Sequence, residues 1–109
     1  MKSVFTTIFA IAIIIYTAPL ATASDATAGK AAFAKKCASC HGAGGETNAK
    51  IASLMKVEMR HLGSKEVQAK SDAELKKNIL QGIGKMKPIK VDEQTADDLV
   101  LYLRSLAKK

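Results

Sequence analysis

The sequence predicts an all-α fold of about four helices in one small domain. Apolar residues recur at helical spacing in several segments, good cap residues stand where those segments begin, and no series of alternating, strand-like runs is present. The chain has 109 residues in a single compositional regime, too short for an enzyme with a separate cofactor domain.

Residues 1–23 read as a signal peptide that is removed. Their only charge is Lys2, an apolar run extends from Val4 to Ala18, and Ala21-Thr22-Ala23 has the small-x-small pattern of a cleavage site. A retained membrane anchor is the alternative, but the run is shorter than the roughly 20 residues a spanning helix needs. No Cys lies near the cleavage site, which excludes a lipoprotein. Residues 24–109 are then the functional domain, exported to the periplasm, or held at the membrane if the leader stays.

Within that domain Asp25 is a good N-cap for an Ala-rich helix running to about Lys36, with Gly29 and Phe33 one turn apart on one face. A second helical pattern covers about Asn48 to Met59, with Ile51, Leu54, Met55 and Met59 at helical spacing. Ser71-Asp72-Ala73-Glu74 is a capping box that starts a third helix, with Leu75, Ile79 and Leu80 inward and Gly82 near its stop. The last helix starts near Asp92 and runs to about Ala107, burying Leu99, Tyr102, Leu103 and Leu106. Gly82 to Val91, with its glycines and Pro88, is a loop.

A domain of this size needs help to close a core, and this one has few aromatics for the purpose. The chain holds three Phe, two Tyr and no Trp, and only Phe33 and Tyr102 lie beyond the leader. The two cysteines supply a poor staple if paired, because Cys37 and Cys40 would close too short a loop to constrain the unfolded chain. They stand instead in Cys37-Ala38-Ser39-Cys40-His41, the C-x-x-C-H pattern of c-type haem attachment. Two thiols about one helical turn apart can each add to a haem vinyl group, and the adjacent His then offers a ring nitrogen to iron. A thioredoxin-like dithiol would need a βαβ surrounding, and zinc would need four ligands, whereas Cys37, Cys40, His41 and the remote His61 are the only thiol or imidazole donors and no second C-x-x-C exists.

A thioether is the commonest partner opposite a proximal His in electron-transfer haem proteins. Met86, in the Gly82–Asp92 loop and two residues before the stiffening Pro88, is the preferred sixth ligand. Met55 and Met59, spaced i, i+4, read as core residues. His61 would give a bis-His haem of lower potential, but between Arg60 and Leu62 at a helix end it reads as a solvated side chain.

With these residues in view, residues 25–107 resemble a small monohaem class I cytochrome c of the bacterial, exported type. The resemblance rests on Gly29 with Phe33, the Cys37–His41 motif, Gly84-Lys85-Met86-Lys87-Pro88 before the last helix, and Leu99 with Tyr102 within it. It implies a cytochrome c fold wrapped around one covalently attached haem c, with the first and last helices crossing so that Gly29 and Phe33 touch Leu99 and Tyr102. The proline segment that follows the proximal His in mitochondrial-type members is absent, and Gly42-Ala43-Gly44-Gly45 stands there. No carbonyl that orients His41 can therefore be named, and with Val91 ahead of Asp92 the cap of the last helix is open.

With both axial positions filled by protein, iron has no vacant site for substrate, so the expected function is electron transfer and not catalysis. The alternative is a five-coordinate or bis-His haem protein acting as peroxidase or ligand sensor, for which no distal acid–base pair is evident. The ring would pack against Phe33, Met59, Leu75, Ile79, Leu99 and Leu103. The formal charge of +7, with Lys35 and Lys36 before the motif and Lys85, Lys87 and Lys90 about Met86, suits acidic docking patches on redox partners. Export and the lack of exposed aromatics argue against nucleic acid. A diffusing carrier is expected to be a monomer, without stable membrane insertion once the leader is gone.

Overall fold

The computed structural model describes residues 11–18 and 23–108. Much of the leader, including Ala21 and Thr22 of the cleavage pattern, lies outside the described residues. Residues 11–18 form no helix, and Ile11, Ile13, Ile14, Ile15 and Tyr16 are exposed. Among the described residues no helix is long and apolar enough to cross a membrane.

The domain is helical: α1 (Ala26–Lys36), α2 (Ala38–His41), α3 (Ala49–Met55), α4 (Lys65–Gln68), α5 (Asp72–Gln81) and α6 (Glu93–Ser105). The four longer helices are those the periodicity predicts. The single turns α2 and α4 are additions, since four residues are too few to display a period of 3.6. Among the described residues the only β-type pairing is an isolated bridge between Ile83 and Met86.

A side-chain cap starts every helix except α2. Asp25 accepts from Thr27 N at 2.8 Å, Ser71 Oγ from Glu74 N at 3.1 Å, and Asp92 from Thr95 N at 2.7 Å. The last of these settles the open cap of α6. The α3 pattern breaks earlier than its spacing suggests. Asn48 caps its start, but Lys56 turns left-handed (φ 53°, ψ 49°) and Val57 N bonds back to Ala52 O at 3.0 Å. Met59 therefore leaves the helix, and the i, i+4 pairing of Met55 with Met59 does not form. A left-handed stop at lysine carries no glycine to announce it.

The core forms where α1 crosses α6, with α5 packed alongside. Gly29 permits the crossing, because a Cβ there would collide with the Asp98 carbonyl. One turn on, Phe33 is 1% exposed and meets Tyr102 edge to face, ring centroids 5.1 Å apart. Such a pair is worth roughly 1 kcal/mol beyond its burial. The expected Gly29–Phe33 contact with α6 is thus present. Leu75, Ile79, Leu99, Val100 and Leu103 complete the buried cluster, with Leu106 half-buried at its edge. Leu80, expected inward, is also only half-buried. Buried Asp98 is satisfied by Asp25 N at 2.8 Å and Gln94 Nε2 at 3.1 Å, which ties the start of α1 to α6.

The far end of α6 fixes the segment before α5. Arg104 donates to Asp72 Oδ1, Gln68 O and Lys70 O at 2.6–2.9 Å. Gln68 Nε2 donates to Leu62 O and Leu103 O, both at 2.9 Å. Leu62 is thereby held against the core.

Candidate haem site

The attachment motif sits at the junction of α1 and α2. Cys37 ends α1, and His41 N closes the next turn by donating to Cys37 O at 2.9 Å. Gly42, at φ 75°, then leaves the helix in a conformation costly for other residues. The freed carbonyls of this turn are met from ahead in the chain. Thr47 N donates to His41 O at 2.8 Å, Asn48 N to Cys40 O at 2.9 Å, and Asn48 Nδ2 to Ser39 O at 3.0 Å. Thr47 does this at φ 86°, an uncommon conformation for a β-branched residue. Tyr102 Oη reaches the loop as well, donating to Ala43 O at 3.3 Å.

Met86 arrives from the other side on a tight turn. Ile83 N bonds to Met86 O at 3.0 Å and Met86 N to Ile83 O at 2.9 Å, across Gly84 at φ 57°. Ile89 N donates to Ile79 O at 2.9 Å and anchors the exit of the loop on α5.

One apolar cavity is lined by Phe33, Cys37, His41, Leu62, Ile79, Met86, Leu99 and Leu103. It gathers three of the four site residues expected from sequence, from two segments far apart in the chain. Cys40 is half-buried on the same helical turn and is not part of that lining. Phe33, Ile79, Leu99 and Leu103 stand where expected. Leu75 lies in the buried cluster and Met59 in a loop, and neither borders the cavity. Leu62 takes the place expected of Met59. It was hidden in the sequence because its position depends on Gln68 and on the bond from its own N–H to Gly45 O at 2.9 Å.

Electrostatics suit a ligand set more than a redox dithiol. Burial, with a smaller contribution from Cys40, pushes the Cys37 thiol up to about 11. Dithiol catalysis needs the opposite shift. Burial lowers the pKa of His41, so its imidazole is neutral and a ring nitrogen is available to metal at neutral pH. His41 Nδ1 is buried without a hydrogen-bond partner, in keeping with the missing proline segment. A protonated Cys37 thiol, a neutral imidazole and a thioether beside apolar walls fit a covalent c-type haem.

His61 is not the solvated helix-end residue expected. It is half-buried in a loop, and its Nδ1 accepts from Gly63 N at 2.9 Å. The chain turns there beneath the Leu106 carbonyl, where Gly63 has no room for a Cβ, and the imidazole satisfies the turning amide. A second cleft, between Ser24, Asp72, Lys76, Asp97, Leu101 and Arg104, holds none of the expected site residues.

Comparison with known proteins gives the family and the fold. The family model described as cytochrome C oxidase, cbb3-type, subunit III matches residues 24–103. No curated protein gives a significant match. Among solved structures, the chain is similar to one titled "KustC0563 c-type cytochrome", with a TM-score of 0.63 and 25% sequence identity over 73% of this chain and 98% of that one. The chain belongs to the cytochrome c oxidase, cbb3-type, subunit III family and is a small class I-like cytochrome c, a c-type haem electron carrier.

Proposed function

We propose that the protein carries one haem c, bound through Cys37 and Cys40 and ligated by His41 and Met86, and shuttles single electrons between redox partners in the periplasm without catalysing a reaction of its own. The observation that carries this reading is the convergence of Cys37, His41 and Met86 on one apolar cavity. When bound, haem supplies an iron that alternates between ferrous and ferric states.

The chain's own residues set the conditions for that exchange. Phe33, Leu62, Ile79, Leu99 and Leu103 exclude water, and a neutral thioether adds no negative charge. Both features disfavour the extra positive charge of ferric iron and raise the reduction potential. His41 and Met86 would both hold the iron, which would leave no position on the metal for a substrate.

Visible spectra of wild type and Met86→Ala test cofactor, ligand and function together. The ferric wild type should show the weak red band of methionine-ligated haem, and Met86→Ala should lose it and gain high-spin features. A wild type already high-spin would favour a ligand-binding or peroxidase role, and a colourless protein would end the reading.

The partners are proteins with acidic docking patches, met by a protein that works as a monomer. Lys35, Lys36, Lys87 and Lys90 are exposed and take part in none of the described ion pairs. Lys76 and Arg104, by contrast, are matched with Glu93, Asp97 and Asp72 around the second cleft. Unmatched positive charge thus accompanies the motif and the Met86 loop, and electron transfer should slow as salt is added. Residues 1–23 are proposed as a cleaved export signal, which N-terminal sequencing of the mature protein would check.

A further inference from the structure

We infer that Lys85 is a positioning residue, a strap that holds the Met86 turn against the end of α3; this rests on the reading of Met86 as sixth ligand. Lys85 Nζ donates to Met55 O at 2.7 Å, across 30 positions of sequence. Met55 is the last residue of α3, where helix carbonyls lack intrahelical partners. The amides that would continue the helix do not reach it: the chain turns away at Lys56, and neither Glu58 N nor Met59 N makes a described backbone bond to Met55 O. An ammonium at that position also opposes the negative end of the helix, and α3 has no basic residue in its own last turn.

The strap spans a gap that little else crosses. On the α5 side the loop is fixed by the Ile83–Met86 bonds and by Ile89 N on Ile79 O. On the α3 side, among the described residues, no other hydrogen bond or ion pair joins residues 82–91 to residues 46–62. Lys85 immediately precedes the residue whose sulfur must stay on iron, so the bond to Met55 limits how far the turn can swing from α3. Lys85 keeps its charge but differs from its neighbour: its ammonium is engaged within the chain, whereas Lys87 makes no described polar contact.

The test is ligand exchange in the ferric holoprotein, with imidazole as the incoming ligand and the visible spectrum as readout. Lys85→Ala should admit imidazole about fivefold faster, the factor that corresponds to one net hydrogen bond. Lys85→Arg, which keeps a cationic donor, and Lys87→Ala, which removes only charge, should stay near the wild-type rate. Amide hydrogen exchange in Lys85→Ala should quicken at Ile83 and Met86 and stay unchanged in α1 and α6. A wild-type imidazole rate in Lys85→Ala, or equal acceleration in Lys87→Ala, overturns the strap. If Met86→Ala has the wild-type spectrum, Met86 is not the ligand and that reading fails. The exchange of Ile83 and Met86 then still decides whether Lys85 holds the turn.

Discussion

The two sides of this molecule are built differently. Where α1 crosses α6 and α5 packs beside them, side chains bury one another: Phe33, Leu75, Ile79, Leu99 and Leu103 are all 7% exposed or less. Between residues 46 and 62, and again between 80 and 95, no residue is buried. Those segments are not short of apolar groups. They contain Ile51, Leu54, Met55, Val57, Met59, Ile83, Met86 and Ile89, yet Leu54 is 71% exposed and Ile83 52%. The first region is a helix crossing in which Phe33, Ile79, Leu99 and Leu103 pack on one another and also wall the cavity. The second is shaped by hydrogen bonds at Thr47, Asn48 and Lys85, leaves its apolar side chains partly or largely exposed, and contributes Met86 to the cavity.

The sharpest way to break this contrast is to withhold the cofactor. A Cys37→Ala, Cys40→Ala chain made without haem should lose most of its helical far-UV circular dichroism, because a domain this small has too little protein-only core to offset its chain entropy. A native-like helical spectrum would show that the α1–α5–α6 crossing suffices, and would refute the view that haem completes the core.

A smaller effect separates the regions residue by residue. Leu99→Ala and Leu54→Ala delete the same atoms from helices on opposite sides. Leu99 is 1% exposed, and its truncation should cost about 3 kcal/mol in urea unfolding of the holoprotein. Leu54, 71% exposed, should cost less than about 0.5 kcal/mol. Equal losses would mean that α3 is buried against something as firmly as α6.

The same division explains what could be read from sequence. The crossing was accessible because its signals are local or rest on residue type: Asp25, Ser71 and Asp92 are cap residues, and Gly29, Phe33, Leu99 and Tyr102 fall at helical spacing. The Cys37–His41 motif encodes its chemistry in five adjacent residues. The other side depends on partners distant in sequence. Nothing near Lys56 announces a left-handed stop, nothing near Leu62 reports Gly45 or Gln68, and His61 looks solvated until Gly63 turns beneath Leu106. Lys85 resembles any surface lysine until its ammonium is seen on Met55 O.

The smallest effect sits on the boundary between the two regions, at Asp92, where the Met86 loop becomes α6. Its carboxylate is fully exposed, and hydrogen bonds from Thr95 hold its pKa below the ordinary value. A lowered folded-state pKa means that the charged form favours the native state. That contribution is present above the unfolded-chain pKa and is lost as pH falls through the folded value. Asp92→Asn keeps an oxygen to accept from Thr95 N but has no charge to place at the positive end of the helix. The variant should therefore be slightly less stable than wild type at neutral pH, and the urea midpoints of the two should converge in acid. Midpoints separated by the same amount at every pH would mean that the cap acts through geometry alone. Fusion of loop to helix would then owe nothing to the Asp92 charge.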